Sequence, residues 1–501
     1  MKEKFDRLMD ILKDASNLGN AAAVLSWDQQ TYMPPGGAEA RAEQLATLSK
    51  ISHQMMTSEE SAKLTMDLEP WISTLDPESI EALSYKRLRH EFDKMIKIPT
   101  ELIVTFAKAQ GLSSNAWVKA RNESNYELFR PHLQEIVDLM KEMITYLGYK
   151  KRPYDALLDM NEPGLVTDEI LPVFQQLKDG LVPLVKYCCA KDNQPSDAIL
   201  HGDFPEKAQW DCFTEIVRTI GFDFNRGRQD ATEHPFTTSF SANDVRITNH
   251  IAPEFLASGL FGIIHEAGHG MYEQGIPVEY EHLPIGGTSS AGVHESQSLL
   301  WENVVGRSLP FWQHFYPVLQ KHFPDNRNLK NNNAEAFYRA INKVTPSLIR
   351  IDADEVTYNL HIFLRFELEL EIFEGNLDLK DLPEIWNERM YSYLGIRPRK
   401  DSEGVLQDIH WSEGMFGYFP SYTLGHVLSV QLYELALQEH PSIPDEIAAG
   451  QFGTLLRWLN KNVHAHAGKY DSRELIRRIA GGEIKAEPYL NYIQKKYHAI
   501  Y

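Results

Sequence analysis

The sequence predicts a mostly α-helical protein: one large helical body over residues 1–501 with a single small antiparallel sheet. Three observations point there. Helical periodicity dominates the chain, no linker interrupts it, and only one region reads as paired strands. Length alone allows about two to four domains. Yet there is no Gly/Ser or Pro-rich tract, no charge block and no repeat at which to divide them.

Taken in order, Phe5, Leu8, Met9 and Leu12 fall at i, i+3, i+4 and i+7, the apolar stripe of a first helix. Asp76-Pro77-Glu78 reads as a helix start, with Asp as cap and Pro at the first helical position. Phe236 to Phe240 and Val245 to Thr248 flank a turn-like Ser241-Ala242-Asn243-Asp244, which predicts a hairpin. Its edge is either a docking line for an extended peptide backbone or a plain structural edge. Glu254 to Ile264 is mostly apolar and leads into a largely buried helix. Gly262, Gly268 and Gly270 lie in or near that helix, where each costs about 1 kcal/mol against Ala, so close packing is expected there. His294 to Val305 reads as a second helix, with a carboxylate in its first turn. The stretch Glu355 to Phe373 nearly alternates in places but is too long for a strand. Thr357, His361, Arg365 and Glu369 form an i, i+4 polar stripe on it, facing a cavity or an internal network. Asp352 with Glu355 resembles a capping box at its start.

Composition narrows the function. The net charge of −20 argues against nucleic acid and anionic membranes as partners, because phosphate binding needs clustered Lys and Arg. Three cysteines, two of them adjacent (Cys188, Cys189, Cys212), imply no disulfide framework. The charged start Met1-Lys2-Glu3-Lys4 lacks an apolar signal core, and no run approaches a membrane span. A reducing cytoplasm is the expected location.

The chemistry centres on His265-Glu266-Ala267-Gly268-His269, an H-E-x-x-H. Residues four apart share a helix face, so both imidazoles can reach one zinc ion. Glu266 then lies where it can take a proton from the attacking water. Three fixed positions arise by chance on the order of once in tens of chains this long, so a third ligand is what raises the odds. Glu295 in His294-Glu295-Ser296-Gln297 completes a His, His, Glu set, with its neighbour His294 as the rival ligand. Amide hydrolysis also needs a donor for the developing oxyanion. His410 and Tyr418 are candidates, in an aromatic and Gly-rich setting. An exopeptidase acting at the C-terminus must hold a free carboxylate, for which an Arg fork is suited. Arg350 is the first candidate, against an internal salt bridge to Asp352 or Asp354; His234 and Arg246, on or beside the hairpin, are others.

Six motifs occur together in this order: His234-Pro235-Phe236, Asp244-Val245-Arg246-Ile247-Thr248, the H-E-x-x-H, His294-Glu295-Ser296-Gln297, Ile349-Arg350 to Asp354, and Gly404 to Trp411. With Trp27 to Gly36 near the start, they resemble the thermostable carboxypeptidase 1 family of zinc metallocarboxypeptidases over nearly the whole chain. The resemblance implies a helical fold like that of neurolysin and angiotensin-converting enzyme, with a deep groove over the metal. It implies a cytoplasmic homodimer that removes C-terminal amino acids from peptides with broad specificity. It places one Zn2+ per chain, with Co2+ or Mn2+ as substitutes, on His265, His269 and Glu295, and makes Glu266 the general base. His410 and Tyr418 would face the oxyanion, with Tyr422 as the alternative to Tyr418, and Arg350 would anchor the substrate carboxylate. An endopeptidase or dipeptidase on the same scaffold is the alternative activity.

Overall fold

The computed structural model describes residues 1–190, 192 and 194–501. Helices dominate, as the periodicity predicts. The first, Lys2–Thr31, buries Phe5, Leu8 and Met9 against Leu68 and Tyr85, a small cluster separate from the rest of the core. Most apolar side chains fall into two larger clusters. One is built around the helices Arg130–Leu147, Thr167–Cys189, Tyr358–Glu374 and Ala486–Ile500. The other is built around Glu206–Ile220, Leu256–Gly275 and Leu309–His322. The helix Phe419–Glu439 feeds both, with Leu424, Val427 and Val430 in the first and Leu428, Leu432 and Ala436 in the second.

The sheet differs from the expected antiparallel pair. The hairpin is present: β2 (Thr237–Ser241) runs antiparallel to β3 (Asp244–Asn249). A third strand, β1 (Gly227–Ala231), pairs parallel to β3 from Gly227 opposite Val245 to Ala231 opposite Asn249. The sheet is therefore mixed, in the order β1-β3-β2, with β2 on an edge. Gly-Arg-Gln-Asp-Ala has none of the β-branched alternation that marks a strand. Its pairing is decided by β3 lying beside it.

Two helix starts shift. The helix expected at Asp76-Pro77 begins at Ile80, where the Ser79 side chain accepts the Ala82 N–H. Asp76 instead accepts the Glu78 N–H in the preceding turn. At the buried helix Tyr358–Glu374 the side chain that accepts backbone N–H groups is that of Asp354, from Val356 and Thr357, not that of Asp352. The polar stripe on this helix is wholly buried, at 0% exposure for Thr357, His361, Arg365 and Glu369, and faces an internal network. Of the three glycines near the H-E-x-x-H, two sit at close approaches. A Cβ on Gly268 would lie 2.6 Å from the Ser298 Cα, and one on Gly270 would meet Phe222, whereas Gly262 has only ordinary contacts. Among the described residues, no helix is long and apolar enough to cross a membrane.

Candidate metal centre and active site

Both imidazoles project from one face of the 256–275 helix, as the i, i+4 spacing requires. A second helix, Ala291–Leu299, crosses close to it at Gly268 and delivers Glu295. His265 Nε2 lies 3.8 Å from Glu295 Oε1, and His269 Nε2 lies 3.7 Å from Glu295 Oε2. One ligand atom from each of the three residues falls within 4.8 Å of the others. A tetrahedral ion with bonds of about 2.0–2.2 Å holds its ligands roughly 3.3–3.6 Å apart, so the donor set fits a divalent cation with a modest contraction. His294, the rival ligand, is turned away. Its Nε2 meets Glu273 Oε1 at 3.1 Å and its ring stacks on His269 at 4.2 Å.

Two contacts that the sequence reading missed prepare this centre. The 291–299 helix runs into a π-helical turn, Leu300–Val305, which carries Glu302. Glu302 Oε2 lies 2.9 Å from His265 Nδ1, an arrangement that orients the ring and leaves Nε2 for the metal. Arg307 donates to the other Glu302 oxygen at 3.1 Å. Burial alone would raise the Glu302 carboxyl, but the His265 hydrogen bond and the Arg307 charge hold it at about 2. Burial likewise disfavours charge on His265, yet Glu295 and Glu302 lift its imidazole to about 10. That surplus of negative potential is what a bound cation would balance. A signal was available, because Glu302 lies seven residues after Glu295 and so near the same face two turns on.

Glu266 points beside the pair. Thr237, on β2, donates its hydroxyl to Glu266 Oε2 at 2.5 Å. Burial pushes the Glu266 carboxyl above its usual range, while His265 and the Thr237 hydrogen bond oppose the shift. The hairpin is therefore tied directly to the candidate base. A cavity of about 780 Å³ opens on one side of the centre, past His265, Glu266 and Tyr358. Another of about 430 Å³ opens past His269, Glu295 and Tyr418.

The remaining candidates divide. His410 is 9% exposed, and its Nε2 lies 3.3 Å from the Tyr422 hydroxyl. Its ring packs on Phe419 at 4.5 Å and lies 5.9 Å from the Tyr418 ring. Burial drives the His410 imidazole down to about 4 despite Asp408, so it is neutral near pH 7. Burial raises Tyr418 to about 12 and Tyr422 well above the normal phenol range, so both keep their protons. Arg350 is 6% exposed and is paired, but with neither Asp352 nor Asp354. Its Nε donates to Asp408 Oδ1 at 3.0 Å and its Nη1 to the Tyr358 hydroxyl at 2.7 Å. Asp408 also accepts from Arg365, through Oδ2 at 2.6 Å. Arg246 is held by both oxygens of Asp244 at 2.9 Å, with its guanidinium 4.3 Å from the Trp27 ring. His234 is exposed, in the loop before β2.

The Carboxypeptidase Taq (M32) metallopeptidase family matches residues 7–497. The chain belongs to that family. Thermostable carboxypeptidase 1 of Thermus thermophilus is 39% identical over 506 residues, covering 99% of each chain. Carboxypeptidase 1 of Bacillus subtilis is 36% identical over 496 residues, 98% of this chain and 97% of its own. The crystal structure of the M32 carboxypeptidase from Deinococcus radiodurans R1 superposes with a TM-score of 0.95 at 37% identity, covering 99% of both. Membership makes the chain a metallocarboxypeptidase, a peptide hydrolase that depends on a divalent metal. The mostly helical fold with a small sheet and the family resemblance are both borne out.

Within this metallopeptidase the 419–439 helix makes room for Glu295, the candidate third ligand. A Cβ on Gly425 would lie 2.7 Å from Glu295 Cγ and 2.8 Å from its Cβ. Gly425→Ala is therefore expected to push Glu295 off the imidazoles and weaken metal binding by about 10–100-fold, the range for disturbed ligand support. Competition with a chelator measures this, and an unchanged metal affinity would show that the backbone yields there without moving Glu295.

Proposed function

We propose that the chain is a zinc carboxypeptidase that releases C-terminal amino acids from peptides with broad specificity. The convergence of His265, His269 and Glu295 beside a Glu266 held by Thr237 carries this reading. Those three residues would hold one Zn2+, with Co2+ or Mn2+ as substitutes. When bound, the ion supplies Lewis-acid polarisation of the scissile carbonyl and of the attacking water. Glu266 takes the water's proton and passes it to the leaving amine. His410, neutral, and Tyr418 or Tyr422, protonated, donate hydrogen bonds to the developing oxyanion.

Upstream residues of the peptide would lie along the β2 edge, where a cavity of about 640 Å³ follows Thr237 to Ala242. Asn20 of the first helix already donates to the Phe240 carbonyl at 2.9 Å, which closes the far end of that edge. The shared 419–439 helix supports reading residues 1–501 as one domain. The resemblance supports a cytoplasmic homodimer. The carboxypeptidase names of the relatives do not favour the endopeptidase or dipeptidase alternative. Mass spectrometry of a peptide digest tests the central claim: ladders shortened from the C-terminus support it, and internal fragments or N-terminal loss overturn it.

We assign the substrate carboxylate to Arg350. Asp408 is shared between two guanidiniums and is fully matched to neither, and Arg350 is the one next to Tyr358 and Tyr422. Arg246, gripped by Asp244, and the exposed His234 are the alternatives. Arg350→Met is expected to lower kcat/KM for a free-acid peptide by about 2–5 kcal/mol. The same peptide as its C-terminal amide, which has no carboxylate to lose, changes much less. An equal drop for both substrates would return Arg350 to its Asp408 pair and pass the anchoring role to Arg246 or His234.

A further inference from the structure

Glu369 is an unusual group for the interior. It is 0% exposed, yet it carries a carboxylate that the hydrolysis described above does not use. Among the described residues its hydrogen-bond partners are all donors. The Trp411 indole N–H donates to Oε1 at 2.7 Å. The Gly417 backbone N–H donates to Oε2 at 3.0 Å, and the Tyr154 hydroxyl donates to the same oxygen at 2.6 Å. Indole and backbone N–H groups can only donate, so an acceptor-only carboxylate is the group that satisfies both. Burial works against it and pushes the Glu369 carboxyl up to about 7, with the three hydrogen bonds opposing.

What makes the placement informative is which neighbours it grips. Trp411 follows His410 in the chain, and Gly417 precedes Tyr418. One turn earlier on the same helix, Arg365 grips Asp408 at 2.6 Å. The 358–374 helix thus seizes the segment from Asp408 to Tyr418 at three points, all through its buried polar stripe. Among the described residues His410 has a single long hydrogen bond, at 3.3 Å to Tyr422, and its buried Nδ1 has no partner, so its own contacts do not fix its place.

We propose that Glu369 is a positioning residue for peptide hydrolysis. Its two carboxylate oxygens clamp opposite ends of the 411–417 turn and so hold His410 and Tyr418 in register with each other and with the metal centre. This rests on the reading that those two side chains face the oxyanion. Neither touches Glu369, which acts through the Trp411 side chain next to one and the Gly417 backbone next to the other. A neutral amide in its place aims an N–H₂ at one of the two N–H donors and releases one end of the turn.

The test uses metal-loaded full-length enzyme and a free-acid peptide. Glu369→Gln is expected to keep its metal and to lower kcat at least tenfold, the scale of a displaced oxyanion donor. KM stays within about threefold, because the lost contact belongs to the transition state. Trp411→Phe, which removes one donor and leaves the carboxylate, is expected to lower kcat in the same way by a smaller factor. In a His410→Ala, Tyr418→Phe background, Glu369→Gln is expected to change kcat less than about twofold, since residues acting as a unit are not additive. If His410→Ala and Tyr418→Phe each leave kcat near normal, the oxyanion reading fails and the role of Glu369 with it. If both are impaired but Glu369→Gln is not, or its loss is as large in the double background, the positioning role alone is overturned. Should Glu369→Gln not fold, Trp411→Phe decides, and an unchanged kcat there rejects the clamp.

Discussion

Glu266→Gln is expected to leave the protein folded and metal-loaded and to reduce kcat by about 10²–10⁴-fold, the contribution of a well-placed general base. Gln has the shape of Glu and can still accept the Thr237 hydroxyl through its amide oxygen, so the site should keep its form. What it cannot do is take a proton from water and return it to the leaving amine. Glu266 is not among the three converging ligands, so metal content should not change. Elemental analysis run beside a steady-state assay gives both numbers on one sample. Turnover near normal with metal retained would remove Glu266 from the chemistry.

The second large effect concerns the metal. Glu295→Ala is expected to strip the ion, because catalytic zinc takes three protein ligands and two imidazoles alone leave it under-coordinated. The loss in affinity should exceed the roughly 10–100-fold seen when only a supporting residue is removed. Neither His294 nor Glu302 stands ready to replace Glu295. His294 is stacked on His269 and directed at Glu273, and Glu302 is engaged by His265 and Arg307. Dialysis at low free metal followed by elemental analysis reads the outcome. A full equivalent of zinc retained in that variant would take Glu295 out of the ligand set.

Local spacing carried much of the site. The i, i+4 rule alone places His265 and His269 on one face, and the position of Glu266 beside them follows from the same geometry. Two short runs flanking the turn-like Ser241-Ala242-Asn243-Asp244 marked β2 and β3, and the polar stripe on the 358–374 helix was visible as a period-4 repeat inside an apolar stretch. These features depend only on neighbours within a turn or two, and a sequence states them directly. The order of the six motifs then pointed to the family.

Partner choice across long separations was a different matter. His294 and Glu295 are adjacent and both competent as zinc ligands. Only the close crossing of two helices at Gly268 turns Glu295 toward the imidazoles and His294 toward Glu273. Arg350 pairs with Asp408, 58 residues away, rather than with the acids two and four positions on. β1 is a strand because β3 lies beside it, not because of its composition. Glu302, Thr237 and Gly425 acquire their roles because a π-turn, an edge strand and a helix converge on one point. Side-chain type and spacing thus determined which chemistry this chain can perform. Which of several competent groups performs it was decided by packing, because a close-packed interior fixes which few partners each charged side chain can reach.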